Sequence, residues 1–220
     1  MNQNEHGQIL AYAANPHLLP LGCRRKGQSR FWFCDQSFWL IGVEFQPSSW
    51  SRGSYLNAGV QWLWRAKTHF TYDSTLDDHG HRLANFAPYK TDEQFSNQMH
   101  FLAEQAAEAV LALRAKFSTL DAIATALRFA AKHRSGWPVF HAAVAAGLAG
   151  DMAGAHRLLS AMASEPIHYE WQAELRQKAD RLLSVAGDSA AYRRIILERV
   201  ARSRALKRLR PDTGCFEEAL

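Results

Sequence analysis

Apolar and polar residues alternate along two stretches in the first third of the chain, residues 38–46 and 54–64. The apolar rows are Trp39, Ile41, Val43 and Phe45 in the first stretch, and Leu56, Ala58, Val60, Trp62 and Trp64 in the second. A period of two is typical of a strand with one buried face. With an aromatic stretch at 30–34 and a shorter one at 82–89, the pattern predicts an antiparallel sheet of three to four strands.

The other row of these two strands is polar and defines a candidate site. It contains Glu44 and Gln46 on one strand and Asn57 and Gln61 on the next. Antiparallel sheets usually leave one face in solvent, so we expect this row to face outward. A carboxylate and amides can recognise a ligand through hydrogen bonds, but they form a poor catalytic set because no base stands beside a nucleophile. With Trp50 from the loop between the strands, they are candidates for a recognition surface.

After residue 90 the period of the apolar residues changes from two to steps of three or four. The members of this series are Phe95, Met99, Leu102, Ala106, Ala109, Leu113 and Phe117. Such a series is typical of a long amphipathic helix, which we expect to start near Thr91 and to cover the apolar face of the sheet. The chain after it is rich in Ala and Leu, so we predict an α+β domain over residues 1–117 and an all-α region over 118–220.

One short motif occurs twice in the all-α region, as AGDMAGAHRLL and as AGDSAAYRRII. In each copy a glycine, Gly150 or Gly187, can end one helix in a left-handed conformation. The aspartate that follows, Asp151 or Asp188, can then cap the next helix. This pattern predicts two successive helical hairpins of tetratricopeptide type packed on the first domain, at 138–163 and 167–208.

The charge of the chain permits acidic partners without requiring them. Among its 220 residues 47% are hydrophobic and 21% are charged, and the net charge is +5. Basic residues cluster at Arg24 and Arg25 in a predicted turn, where they can bind an acidic group. They cluster again in the last predicted helix, where Arg199, Arg202, Arg204 and Arg208 form a candidate basic face. Such a face suits an acidic protein partner or, as an alternative, nucleic acid.

The cysteines and the chain start indicate a cytoplasmic protein. Cys23, Cys34 and Cys215 are odd in number and show no C-x-x-C spacing, so we expect no disulfide framework. The first residues lack the basic segment and apolar core of a signal peptide. The longest apolar stretch, 139–149, is too short to span a bilayer, so we expect no membrane partner.

The polar connection at 69–81 is the place where metal chemistry could occur. It contains Asp73, Asp77, Asp78, His79 and His81, which are residue types that bind zinc and other transition metals. No further ligand cluster supports it, so we predict no metal and no cofactor. Motifs for nucleotide binding or for a nucleophilic serine do not occur in the sequence.

The first half of the chain resembles a known bacterial family. The motifs are Gly22-x-Arg24-Arg25-Lys26-Gly27, Val43-x-Phe45-Gln46-x-Ser48-x-Trp50 and Tyr55-x-Asn57-x-Gly59-Val60. In this order they resemble the family called domain of unknown function 4304 over about residues 8–115. The chain departs from the family pattern at Cys23, which replaces an aromatic residue, and at Ala58, which is inserted between Asn57 and Gly59.

That resemblance implies an α+β fold with an antiparallel sheet and no established activity. The resemblance also implies a possible place in bacterial conflict systems, where some such small domains are suspected to act, for example as immunity proteins that block a toxin. The expectation is therefore a non-catalytic module that binds another protein. Two alternatives remain open, which are nucleic-acid binding through the basic last helix and a hydrolase or metal enzyme that uses the 69–81 connection.

Overall fold

The computed structural model describes residues 3–77 and 80–210, with side chains from residue 6 onward. The chain forms two compact units. The sheet unit comprises the chain up to Gln61 together with Phe70–Ala115, and the helical unit comprises Trp62–His69 together with the chain from Lys116 onward. The fold is α+β, with the sheet in the first half and helices in the second, as the sequence predicts.

Within the described residues, five strands form one sheet, in the order in which they occur along the chain. They are β1 (Cys23–Arg25), β2 (Phe31–Asp35), β3 (Trp39–Pro47), β4 (Gly53–Trp62) and β5 (Arg82–Pro88). The pairs β1–β2, β2–β3 and β4–β5 are antiparallel, and the short loop between β3 and β4 requires the same of that pair. The sheet has one strand more than the upper prediction, because β1 spans three residues and is too short to show an alternating pattern.

The apolar row of the sheet lies under two helices. Trp32 on β2 pairs with Val43 and shares its face, and its indole Nε1 donates a hydrogen bond to Asn15 Oδ1 at 3.1 Å. Asn15 belongs to α1 (Gln3–Leu18), which contacts α2 (Asp92–Lys116) through the rings of His6 and Phe95 at 5.3 Å. Both helices are amphipathic, and the sequence predicted only the second as a cover.

A disulfide joins β1 to β2, which corrects the expectation drawn from the cysteine count. Cys23 and Cys34 are direct partners in the antiparallel register, with Cα atoms 4.1 Å apart, and their sulfurs are bonded. Sequence spacing misses this pair because a strand register, and not a short motif, brings the two residues together. The cysteines therefore no longer support a reducing compartment.

Five helices make up most of the helical unit as far as residue 210, and they include the two predicted hairpins. They are α3 (Leu120–Ala131), α4 (Trp137–Leu148), α5 (Met152–Ser164), α6 (Glu170–Leu183) and α7 (Ser189–Leu206). Helix α4 packs against α3, α5 and α7, and all its residues from Val139 to Leu148 are buried. An apolar helix that is covered on every side is the centre of the unit.

The repeated motif caps helices as predicted at both aspartates and at one glycine. Asp151 Oδ1 accepts a hydrogen bond from Gly154 N at 2.7 Å, and Asp188 Oδ1 accepts from Ala190 N and Ala191 N. Gly150 has a φ of 90°, in the left-handed region. Gly187 does not have a positive φ, so the left-handed helix end predicted there is wrong.

Strand β4 ends at Trp62, two residues before the predicted end, because the chain then joins the helical unit. Leu63–Arg65 forms one turn of 3-10 helix. Trp62 and Trp64 stack with their ring centroids 4.8 Å apart, and Trp64 Nε1 donates to His141 Nδ1 at 2.9 Å. Ser203 on α7 donates a further hydrogen bond to the Leu63 carbonyl oxygen. These contacts hold the segment 62–69 among the helices.

None of the described helices is both long enough and apolar enough to cross a membrane.

Candidate functional site

The four predicted polar residues lie together on β3 and β4, and we call them the polar row. Asn57 Nδ2 donates to Gln46 Oε1 at 2.9 Å and lies 3.4 Å from Glu44 Oε2. Gln61 Nε2 donates to Thr71 Oγ1 at 3.1 Å. The side chains therefore bond to one another and to the following connection, as well as sharing a face of the sheet.

A segment of that connection, residues 70–75, covers the polar row, and we call it the cover segment. Val60 N donates to Ser74 O, and Asp73 N donates to Val60 O, each at 2.7 Å. The cover segment lies so close to β4 that a Cβ atom at Gly59 would come within 2.8 Å of the Tyr72 ring and 2.9 Å of Ser74 O. Only glycine fits at that position without a shift of the cover segment.

The expectation that the polar row faces solvent is consequently wrong. Asn57 and Gln61 are each 1% exposed, and Glu44 and Gln46 are half-buried. The amide nitrogens of the two buried residues have hydrogen-bond partners, Gln46 for Asn57 and Thr71 for Gln61, which offsets the cost of their burial. The alternating pattern does not show the cover, since a sheet face looks the same in sequence whether water or another part of the chain lies over it.

Tyr72 connects the cover segment to the carboxylate of the row. Its hydroxyl donates to Glu44 Oε2 at 3.2 Å, and its ring stacks on His81 with centroids 4.4 Å apart. Burial raises the pKa of Tyr72 above its ordinary value, and the neighbouring Glu44 charge raises it further. Tyr72 is therefore a protonated donor, which is the form that the carboxylate requires.

Arg82 closes the other end of the network from β5. Its Nη2 donates to Gln46 Oε1 at 3.1 Å, and its guanidinium lies 3.8 Å from the ring centroid of Tyr55. Gln46 Oε1 thus accepts from both Asn57 and Arg82. Each side chain of the polar row is hydrogen-bonded to a neighbouring residue, and these bonds link adjacent strands. The arrangement does not place a base beside a nucleophile.

Sequence reasoning missed Tyr72 and Arg82, the two residues that complete the network. A signal for the first exists, because Phe70 and Tyr72 place aromatic rings two residues apart in a connection that is otherwise polar. An alternating aromatic pair indicates an extended segment packed on one side. Nothing comparable marks Arg82, whose role depends on the pairing of β4 with β5.

Trp50, the fifth candidate of this group, is separate from the buried network. Its side chain is 94% exposed, in the loop 48–52 between β3 and β4. The loop is braced at both sides, since Ser48 Oγ accepts from Trp50 N at 3.1 Å and Arg52 O accepts from Tyr89 N at 3.0 Å. The structure therefore divides the predicted site into an internal part and an exposed tryptophan.

The two basic candidates near the first turn have different environments. Arg25 donates to the carbonyl oxygens of Ser29, Gln28 and Gly7 and lies 5.2 Å from the Trp32 ring centroid. These contacts tie the β1–β2 turn to α1, so Arg25 stabilises the fold. Arg24 is exposed on β1 and stays a binding candidate.

The basic face predicted on α7 is smaller than the sequence pattern indicates. Arg204 is 6% exposed and donates two hydrogen bonds to Arg210 O, whereas Arg202 and Arg208 are exposed. Arg199 donates to Lys178 O at 3.3 Å, and burial, followed by the Arg181 charge, lowers its pKa to about 10. Two of the four arginines therefore serve packing, which leaves less charge for nucleic acid.

The 69–81 connection shows no metal geometry where it is described. Asp78 and His79 lie outside the described residues, and so the H-x-H part of the prediction is not assessed. Within the described ranges, no three His, Cys, Asp or Glu side chains are close enough together to hold an ion. What this connection does show is packing on the sheet through the cover segment.

No protein-family model, curated protein or solved structure matches this chain.

Proposed function

We propose that the protein is a non-catalytic module that binds another protein through the loop 48–52, with Trp50 as the central contact. The observation that carries this proposal is the 94% exposure of the Trp50 side chain. Covering the large apolar surface of a tryptophan makes the free energy of binding more favourable. Tryptophan is also enriched among the residues that contribute most to binding energies.

The surroundings of Trp50 fit a preorganised contact. The loop connects β3 to β4, and the hydrogen bond from Asn57 to Gln46 links these strands close to where the loop begins. Bonds from Trp50 N to Ser48 and from Tyr89 N to Arg52 fix the loop backbone. A rigid loop loses little conformational freedom on binding, which favours affinity.

The polar row supports the same function indirectly. Its hydrogen bonds run between neighbouring strands and to the cover segment, and Asn57 and Gln61 are almost fully buried. Through these hydrogen bonds the polar row stabilises the sheet, and the sheet in turn holds the loop 48–52. The resemblance to domain of unknown function 4304 suggests one version of the proposal, in which the partner is a toxin encoded nearby and the protein acts as its immunity protein.

Affinity capture with a Trp50→Ala variant tests the proposal. The tagged wild type, the variant and a Tyr12→Ala control are each used to capture proteins from cells of the natural host. Tyr12 is a suitable control because it is 73% exposed and lies on α1. We expect one partner that the wild type and the control both retain. The variant should bind it about thirtyfold more weakly or worse, because truncating a central contact costs about 2 kcal/mol or more. Absence of a partner, or equal capture by all three proteins, would overturn the proposal.

A further inference from the structure

An open groove of about 480 Å³ runs between β5 and α2 within the sheet unit. On the strand side its lining is the consecutive run from Arg82 to Ala87, and on the helix side it is Gln98, Phe101, Leu102 and Gln105. Successive side chains of a strand point to opposite faces, so a cavity on one face would be lined by every second residue. A groove lined by six consecutive residues lies along the strand edge, where the backbone is accessible.

That edge of the sheet is unpaired in the described part of the chain. The strand order places β5 last, with β4 as its neighbour. In an antiparallel ladder alternate backbone N–H and C=O groups point away from the neighbouring strand, and they bind any extended segment that approaches. Proteins usually protect such an edge with lysines or a proline inside the strand. Here Arg82 is the only charged residue in β5, and Pro88 stands at its last position.

The helical wall of the groove offers matching side-chain contacts. Phe101 is 59% exposed although it lines the groove, so an apolar side chain placed beside it would cover its ring. Gln105 lines the same wall, and its amide can donate and accept hydrogen bonds. Glu104 and Glu108 are exposed three and seven residues after Phe101, which makes the outer rim acidic.

From these observations we infer that the groove binds an extended segment of a partner protein, which adds to β5 as a sixth strand. The segment presents apolar side chains to Phe101 and Leu102 and a lysine or arginine to the acidic rim. Backbone hydrogen bonds to a strand edge supply affinity in this mode, and alternate side chains supply specificity. The inference rests on the proposed protein-binding function and adds a second surface to it, separate from the loop 48–52.

A phage-displayed library of random twelve-residue peptides, selected on the immobilised full chain, provides the probe. The best peptide is then resynthesised with a single N-methyl group at each backbone nitrogen in turn. Strand addition uses every second N–H of the peptide, so we expect N-methylation to weaken binding by about tenfold at alternate positions and little between them. Side-chain recognition alone would give no such period of two, and its absence would overturn the inference.

Variants of the protein locate the binding surface. We expect Phe101→Ala to weaken the peptide by about tenfold and Leu111→Ala to leave it unchanged, because Leu111 is exposed on the same helix outside the groove. A library that yields no peptide sensitive to Phe101→Ala would also overturn the inference. Trp50→Ala should not change the affinity for the peptide. The two proposals can therefore be refuted independently. If N-methylation shows no period of two, only the groove proposal fails; if the Trp50 variant captures the partner as well as the wild type does, only the loop proposal fails.

Discussion

Asn57 links the amide and the carboxylate of the polar row. It donates to Gln46 Oε1 at 2.9 Å and is 3.4 Å from Glu44 Oε2, and only 1% of it is exposed. The acceptors have second partners, since Tyr72 donates to Glu44 and Arg82 donates to Gln46. Removing Asn57 would therefore weaken the network without leaving either acceptor alone. Asn57 therefore contributes to the folding stability of the sheet. We expect its removal to affect binding at the loop 48–52 only indirectly, through weaker pairing of β3 with β4.

A stability measurement on Asn57→Ala tests this role. We expect the free energy of unfolding to fall by about 2 kcal/mol, because two partly buried hydrogen bonds are lost and a small cavity remains. Urea denaturation of the full chain gives the value. Asn85→Ala on the exposed side of β5 is the matched control and should change stability by less than about 0.5 kcal/mol. If Asn57→Ala behaves like this control, then the polar row does not stabilise the sheet.

Among the elements, β1 depends most on a single covalent bond. The strand has three residues, and the disulfide from Cys23 to Cys34 ties it to β2. Arg25 adds hydrogen bonds that hold the following turn against α1. A strand this short at a sheet edge contributes little pairing energy of its own, so the bond should matter to its stability.

A cysteine variant measures that dependence. We expect Cys34→Ser to lower the free energy of unfolding of the oxidised protein by about 3 kcal/mol, because the disulfide closes a short loop in the unfolded chain. The reductant dithiothreitol should lower the wild type by a similar amount and leave the variant unchanged. Cys215→Ser serves as the control and should respond to the reductant as the wild type does. A wild type whose stability is insensitive to reductant would contradict the pairing.

Periodicity predicted the elements that carry a long repeat and missed those that depend on tertiary contacts. The period of two fixed β3 and β4 closely, and the repeated motif located the α4–α5 and α6–α7 hairpins. Strand β1 falls within a predicted turn, because three residues show no period. The cover segment falls within the predicted polar connection, although Phe70 and Tyr72 pack on the sheet. Its position depends on the close approach that Gly59 allows, which no local pattern expresses.

For the molecule as a whole, the sequence correctly separated a sheet-bearing first half from a helical second half. It could not show that the chain passes into the helical unit at Trp62, the last residue of β4, because Trp64 continues the alternation of that strand. The reason is physical: a stacked tryptophan pair that bonds to His141 is buried as well among helices as on a strand. The sequence placed Glu44, Gln46, Asn57 and Gln61 on one face of the sheet, but it did not show their burial or the contributions of Tyr72 and Arg82.

We propose that Trp50 is the contact through which this protein binds a partner. Hydroxyl-radical footprinting read by mass spectrometry tests it directly, because the chain has seven tryptophans and Trp50 is the most exposed of them. Trp171, at 46% exposure in the helical unit, is the internal control. We predict strong oxidation of Trp50 in the free protein and its loss in the purified complex, with Trp171 unchanged. Oxidation of Trp50 that is equally strong in the complex would contradict the claim.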